Sequence, residues 1–432
     1  MSTVVDLRVP SSKSETHRAL LLGALSSVPC TVHHPLLGAD CRSTLEVLQS
    51  LGARAHLSSA AVHFQPIHRL HAAEGLLDCG NSGTTLRLML AQVARLTRPS
   101  TLTGDASLQT RPNGPLLDAL EQLGAQAHSL AGRAPITISG PLQAGHVVLP
   151  PRVSSQYASA LLLALSMVPG ASSLHLQAPV ASRPYLDITR TVAAQFGLKW
   201  TAEDREDGVH YTILGGQSPS AEAVEVAGDW SGAAFALVAG VLLDQPVRLH
   251  GLRRDSAQGD RRVVQILQAF GQTLSWSGDA LELAPAPIRG GVTLDLGATP
   301  DLFPALAVLA ACAEQPSRLA GAPSLRHKEC DRISAMVQGL RTLGADVEEL
   351  RDGLRVRSHR PLHGGDVRSH HDHRVYMAFR VLGARLAADA AGQVQVDGQG
   401  CEAVSYPRFA DDLHRICTAR RPPHLSPAGR LR

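Results

Sequence analysis

Three stretches of this chain combine cations and carboxylates at spacings suited to acid–base chemistry on an anionic substrate. Ser12-Lys13-Ser14-Glu15-Thr16-His17-Arg18 sets Lys13 and Arg18 at the head of an apolar segment. Leu325-Arg326-His327-Lys328-Glu329-Cys330-Asp331-Arg332 brings Lys328, Glu329 and Arg332 close together. A helix there places an acid, a base and an anion clamp within one turn, although a solvated ion-pair helix carries the same residue types. His370-His371-Asp372-His373-Arg374 is His-rich, but no Cys, Glu or His cluster matches it, and no metal site is expected. Of 41 basic residues only Lys13, Lys199 and Lys328 are lysines. An ammonium has a movable pKa and exchanges its proton where guanidinium does not. A lysine retained inside a polar motif therefore points to chemistry, as at Lys13 and Lys328. Lys199, in Gly197-Leu198-Lys199-Trp200, has no such setting.

Other stretches supply binding groups. Cys79-Gly80-Asn81-Ser82-Gly83-Thr84-Thr85-Leu86-Arg87 runs from small polar residues into an apolar helix. The first turn of a helix has unpaired N–H groups and a dipole that favours anions, and Gly83 lets an anion approach the backbone. Thr103–Gly114 is turn-rich and presents Arg111. Ser154-Ser155-Gln156 aligns three hydrogen-bonding side chains, and Ser182-Arg183-Pro184-Tyr185 follows on a loop. Thr299-Pro300-Asp301 sets one carboxylate at a helix start; a simple N-cap would look the same.

The elements that must position these groups repeat. Helix-like segments end in Leu-Gly or Phe-Gly at Gly52, Gly124, Gly197, Gly271 and Gly344, spaced 72, 73, 74 and 73 residues apart. Glycine just past a helix adopts the left-handed conformation that stops it. A sixth copy, Phe409–Cys417, lacks the glycine. A second helix recurs at the same period, polar at its start and apolar nearly all round. The copies begin at Lys13, Asn81, Ser154, Asp229, Asp301 and Asp372. Such helices are expected to be buried. Alternating segments at 134–139, 210–214, 280–283 and 353–356 supply strands. Six units of about seventy residues suggest two similar α/β halves of three units each, with the polar helix starts converging on one cleft. A single solenoid would not explain why every buried helix opens on polar groups.

Composition sets bounds. At 432 residues, 44% apolar and 18% charged, the chain is long enough for two large cores. A net charge of +3 and 3% aromatic residues argue against a nucleic-acid binder. No apolar run approaches the ~20 residues that span a bilayer, and Met1–Pro10 alternates like a strand rather than a signal peptide. A cytoplasmic protein is expected. Seven cysteines without C-x-x-C suggest reduced packing thiols.

Together these stretches resemble the enolpyruvyl transferases, and among them the EPSP synthase family, from about Val9 to Asp412. The Gly80–Arg87 loop, the Leu102–Gly114 stretch with its Arg-Pro, Ser154-Ser155-Gln156, Lys328–Arg332 and Asp372-His373-Arg374 occur in the family's order. The resemblance implies two domains, each of three βαβαββ units around buried parallel helices, with the active site in the cleft. On that basis residues 14–226 form one half, residues 1–13 with 227–420 the other, and 421–432 a flexible basic tail. The implied reaction joins phosphoenolpyruvate to the 5-hydroxyl of shikimate 3-phosphate and releases phosphate, without metal or organic cofactor, in the shikimate pathway. Lys13, Ser14, Arg18, Ser154, Ser155, Gln156, Ser182, Asp301 and Lys328 resemble the family's shikimate 3-phosphate contacts. Lys13, Gly83, Arg111, Gln156, Arg332 and Arg374 resemble its phosphoenolpyruvate contacts. Asp301 corresponds to the base on the 5-hydroxyl; Glu329 and Lys13 are the candidates for proton delivery to carbon, with His373 nearby. A monomer without nucleic-acid or membrane partners is expected.

The chain departs from the family pattern at Ser324, where some members carry Asn, and at Val404-Ser405-Tyr406-Pro407, where some carry Lys. The rival on the same fold is UDP-N-acetylglucosamine enolpyruvyl transferase. That family shows Lys-Asn where this chain has Lys13-Ser14, and a reactive Cys in the loop before Arg-Pro, where Ala106–Thr110 has none.

Overall fold

The computed structural model describes residues 4–67 and 69–419; the proposed tail at 421–432 lies outside them. Helices α1 (Lys13–Ala24), α2 (Ala39–Ser50), α3 (Gly83–Val93), α4 (Ala106–Thr110), α5 (Gly114–Gln122), α6 (Ser155–Met167) and α7 (Pro184–Gln195) belong to the first half. Helices α8 (Trp230–Leu242), α9 (Val263–Ala269), α10 (Phe303–Ala311), α11 (Arg332–Thr342), α12 (His373–Ala388) and α13 (Phe409–Ala419) belong to the second. Every residue of α8 and α10 is buried, and α1, α3, α6 and α12 are buried over most of their length. Helices of this kind are stabilised by packing on all sides rather than by one amphipathic stripe.

Five four-stranded sheets share one topology: a parallel pair followed by two antiparallel strands. In one of them Leu76–Asp78 runs parallel to Ser100–Thr103, which pairs with the antiparallel hairpin Arg133–Ser139 and Gln126–Leu130. The five glycines predicted to end helices all have left-handed φ, from +79° to +99°. The sixth unit is reduced to the parallel pair Gly365–Val367 and Val394–Val396. Only a 3-10 turn, Cys401–Val404, separates that pair from helix α13, so among the described residues the sixth unit has no hairpin.

Buried apolar side chains form two clusters. One runs from Ala19 to Val226. The other joins Val5, Leu7 and Val9 to residues 230–416, because strand Val5–Arg8 pairs in parallel with Val247–His250. The chain passes between the clusters twice, side by side. Ser12 N donates to Ala227 O at 2.7 Å, and Asp229 N to Pro10 O at 2.8 Å. Lys13 N donates to the Asp229 carboxylate at 3.0 Å. Glu15 and Gln258 brace this crossing: Gln258 Nε2 donates to Glu15 Oε1 at 2.9 Å and to Gly228 O at 2.9 Å.

One local expectation fails. Lys328 and Glu329 do not share a helical turn with Arg332. A 3-10 turn, Pro323–His327, ends before extended Lys328, and α11 begins only at Arg332 with Asp331 as its N-cap. The cap accepts from Ser334 N, which fixes the start there and leaves 328–331 as a strap. The simple N-cap alternative for Asp301 does not hold: the residue lies in the 3-10 turn Pro300–Leu302 ahead of α10 and makes no cap bond.

Packing between α11 and α12 leaves no room for a methyl group at Gly339, where a Cβ would lie 2.2 Å from Phe379 Cζ. Overpacking of this kind costs about 1–3 kcal/mol. Gly339→Ala is expected to lower the thermal midpoint, measured by scanning calorimetry, while Gly75→Ala, where a Cβ meets nothing within 4 Å, leaves it unchanged.

Candidate active site

Arg332 is fully buried and its guanidinium meets three carboxylates. Nε donates to Asp372 Oδ2 at 2.6 Å, Nη1 to Asp301 Oδ1 at 2.9 Å, and Nη2 to Glu329 Oε2 at 2.7 Å. Asp372 is held in turn as the N-cap of α12, accepting from Arg374 N and Val375 N. Burying three acids and one arginine is tolerable only because the fork satisfies one oxygen of each.

Asp301 collects more partners. Tyr185, on the first turn of α7, donates its hydroxyl to Oδ2 at 2.6 Å. Arg374 Nη2 lies 3.2 Å from Oδ2, and Lys328 Nζ 3.5 Å from Oδ1. Burial alone would raise the Asp301 carboxyl, but Arg374, Lys328 and Arg332 hold it well below the usual carboxylate range. Glu329 behaves alike: against burial, Arg332, Arg111 and Lys13 hold it well below the usual carboxylate range. Arg111 comes from the first half and Lys13 stands at the crossing between the halves, so charges from both halves meet at Glu329. Ser107 Oγ donates to Glu329 O at 3.3 Å across the same gap.

On the first-half side, Lys13 Nζ donates to Asp40 Oδ2 at 2.9 Å. Burial pushes the ammonium pKa down, but Asp40 and Glu329 outweigh that and the opposing charge of Arg374, and the net shift is upward. Lys13 is charged at neutral pH. Burial lowers the Lys328 pKa, with Arg332 and Arg374 adding to the fall. His373 Nε2 accepts from Arg374 Nη1 at 2.9 Å. Burial and the charges of Arg374 and Lys13 push its pKa well down, so His373 is neutral.

The loop before α3 forms the next wall. Ser82 caps the helix, accepting from Thr85 N at 3.1 Å. Arg111 leans on this loop, donating to Asn81 O at 3.2 Å and Asn81 Oδ1 at 2.6 Å. Gly83 leaves room for that approach: a Cβ there would lie 3.3 Å, a tight contact, from both Arg111 Nη1 and Arg87 Nη1. Gln156 is fixed at both ends of its amide, by Arg87 Nη1 at 2.6 Å and Thr84 Oγ1 at 2.9 Å. Arg87, part of the expected anion loop, is instead taken up by Gln156, Asn113 and Pro112 O. Arg111 Nε and Arg374 Nε are buried donors without a hydrogen-bond partner among the described residues.

Ser154 and Ser155 open α6, where Ser154 Oγ accepts from Gln156 N at 3.3 Å. Ser182 stands at φ +50° just ahead of α7. Arg18 is buried against protein groups, donating to Thr189, Ser159, Ser14 O and Tyr185 O. It therefore ties α1 to α6 and α7, and burial lowers its pKa to about 10. Sequence reasoning left Asp40, Tyr185 and Asp372 without roles. An acid in a first helical turn and a tyrosine after Arg-Pro are common, and only their partners single them out.

A family comparison agrees with this geometry. The family model described as EPSP synthase (3-phosphoshikimate 1-carboxyvinyltransferase) matches residues 3–413. The chain belongs to the EPSP synthase family. It is 40% identical over 412 residues to the 3-phosphoshikimate 1-carboxyvinyltransferase of Methanocorpusculum labreanum, covering 95% of each chain. It is also 40% identical to that of Methanothrix thermoacetophila, covering 94% of each. The crystal structure of EPSP synthase from Acinetobacter baumannii superposes with a TM-score of 0.76 at 27% identity, covering 96% of both chains. The enolpyruvyl transferase NikO from Streptomyces tendae shares the fold, with a TM-score of 0.71 at 21% identity. The family's activity is transfer of the carboxyvinyl group of phosphoenolpyruvate to shikimate 3-phosphate, the shikimate-pathway step, and the UDP-sugar alternative is not favoured. Among the described residues no helix is long and apolar enough to cross a membrane.

Two expected outcomes follow from the charge network. Arg332→Met leaves three buried acids without their shared cation; breaking a buried pair costs about 3–5 kcal/mol, and urea unfolding at neutral pH should show a loss of at least that size. Asp260, beside Asp301, is pushed from the ordinary 3.8 to about 7 by burial and by the Asp301 charge. The folded state thus holds a proton that the unfolded state has released, so the stability tied to Asp260 is complete below pH 3.8 and is lost as pH rises through 7. Asp260→Asn should therefore be more stable than the native protein at pH 8, with the advantage shrinking toward pH 4.

Proposed function

We propose that the two halves act as domains closing on phosphoenolpyruvate and shikimate 3-phosphate, with the sequence-derived residues in the following roles. The observation that carries this reading is that four cations at the junction are already paired with protein carboxylates. Lys13 pairs with Asp40, Lys328 and Arg374 with Asp301, and Arg332 with Asp301, Glu329 and Asp372. Two polyanionic substrates need such a field, and they compete with these acids for it.

In this reading phosphoenolpyruvate binds to Lys13, Arg111, Arg332 and Arg374, with Gly83 and Gln156 completing its site. The unpaired Nε donors of Arg111 and Arg374 support that assignment. Ser154, Ser155, Gln156, Ser182, Arg18, Ser14, Lys13 and Lys328 hold shikimate 3-phosphate, and Asp301 faces its 5-hydroxyl. As the substrate anions draw cations away from Asp301 and Glu329, both carboxyl pKa values rise. Asp301 becomes basic enough to take the proton from the 5-hydroxyl. Glu329 takes up a proton and delivers it to the methylene carbon, making the oxocarbenium-like centre that the hydroxyl oxygen attacks. The tetrahedral adduct then expels phosphate, with Lys13 and the arginines stabilising the leaving anion, while its new methyl group returns one proton to the Glu329 carboxylate and the carbon–carbon double bond re-forms. Neutral His373 orients Arg374 and takes no part in proton delivery. Val404 stands where some family members carry Lys; that part of the chain contributes backbone, since Ala403 O and Val404 O pack so close to Gly38 that a Cβ there would lie 2.6 Å from each. The enzyme acts as a monomer in the cytoplasm and uses no cofactor.

Phosphate release is expected with phosphoenolpyruvate plus shikimate 3-phosphate and not with phosphoenolpyruvate plus UDP-N-acetylglucosamine. Loss of a general acid or base costs about 10²–10⁴-fold in rate, so Asp301→Asn and Glu329→Gln should each lose that much in kcat. In single turnovers in deuterium oxide, Glu329→Gln should slow deuterium entry into the methyl group while binding of both substrates persists. Undiminished uptake in Glu329→Gln with loss in Lys13→Met would transfer the acid role to Lys13.

A further inference from the structure

A second cluster of ligating side chains lies outside the cleft, on the four-stranded sheet formed by His146–Leu149, Ala171–Gln177, Gly208–Leu214 and Trp200–Arg205. His175 and His210 are direct antiparallel partners on neighbouring strands. Directly opposed residues present their side chains on the same face, and the two imidazoles stack with centroids 3.9 Å apart and planes 16° apart. Asp207, from the turn joining the strands at 200–205 and 208–214, reaches both rings. Its Oδ1 lies 2.9 Å from His210 Nε2 and its Oδ2 3.3 Å from His175 Nε2. One nitrogen from each histidine and a carboxylate oxygen all fall within 4.8 Å of one another. Glu203 is the direct partner of His210 on its other side, which extends the row by one more carboxylate.

We infer that His175, His210 and Asp207 bind a divalent transition-metal ion, with Zn2+ as the best match to two imidazoles and a carboxylate. Zinc–nitrogen and zinc–oxygen bonds of about 2.0–2.2 Å in a tetrahedron separate ligand atoms by roughly 3.3–3.5 Å. The two carboxylate-to-imidazole distances, 2.9 and 3.3 Å, already sit near that spacing. Both histidines present the same nitrogen to one point, and their side chains are mostly buried while Asp207 is half exposed, so an ion has a route from solvent. Without metal the two Nε2–H groups donate to Asp207; binding moves each ring proton to Nδ1 and frees the Nε2 lone pair. Glu203 serves as a fourth ligand or as a nearby compensating charge, in exchange for its present ion pair with Arg205. The bound ion would pin the 206–207 turn to the strand at 171–177. None of these residues belongs to the cleft, so the carboxyvinyl transfer itself does not depend on the site.

The test is titration of the full-length protein with zinc chloride in a non-chelating buffer, by calorimetry and by thermal shift. The native protein should show one saturable site and a thermal midpoint that rises with Zn2+ and falls back on adding EDTA. His210→Gln, and the double variant His175→Asn/His210→Gln, should lose at least the ~10–100-fold in affinity that even outer-shell changes cost at metal sites. Carboxyvinyl transfer by both variants should match the native protein, which shows that they fold. His33→Asn/His34→Asn should bind Zn2+ as the native protein does. Absence of a saturable site in the native protein, or equal binding by the double variant, overturns the proposal.

Discussion

The guanidinium of Arg332 is the fixed point of the cleft. It holds Asp301, Glu329 and Asp372 at once, each on a different stretch of the second half. A lysine cannot do this, because a point charge has no fork to present to three acceptors in set directions. Asp372 then caps α12 and so sets where His373 and Arg374 begin. The strap 328–331, the turn before α10 and the start of α12 are thus registered against one side chain. The remaining cations, Lys328 and Arg374, take positions around Asp301 that this registration defines.

Buried polar networks are tolerated where every member is satisfied, and they are costly where one is missing. The cleft follows the rule with exceptions that include the Nε atoms of Arg111 and Arg374 and Oδ1 of Asp260. Elsewhere the protein's own acids occupy the positions that anionic ligands would compete for. Such an arrangement keeps a dense cluster of cations folded without a ligand, and it makes the charge state of Asp301 and Glu329 depend on what the cations face. Ground-state electrostatics and ligand binding are therefore one problem in this site.

The two halves meet through few but directional links. Tyr185 reaches Asp301, Ser107 reaches the Glu329 carbonyl, and Glu15 and Gln258 brace the doubled crossing. These are hydrogen bonds between helix starts rather than a shared apolar core, since the buried side chains divide into two separate clusters. Each half keeps its own buried apolar cluster, and the links named here are polar. Polar contacts of this type exchange readily with water or with ligand oxygen atoms.

Periodicity made the repeat legible in the sequence. Helix-ending glycines need a left-handed backbone whatever surrounds them, and their spacing of 72 to 74 residues exposes the six units before any contact is known. The polar starts of the buried helices, and the rarity of lysine outside Lys13 and Lys328, mark the residues that face one another. Those signals are local, set by backbone conformation and residue type. The pairings are not local: Tyr185 and Asp301 are 116 residues apart, Lys13 and Asp40 27, and Asp372 and Arg332 40. No spacing encodes which acid meets which cation. The strap at 328–331 misled the local reading, because an N-cap at Asp331, not helical periodicity, decides where α11 starts. The histidine pair on the first half was equally hidden, since only strand register sets His175 beside His210. Sequence determined the units and the kinds of group at their ends; tertiary structure alone decided the charge partners, because Coulomb energy depends on distance in space and burial, and neither is a property of neighbouring residues.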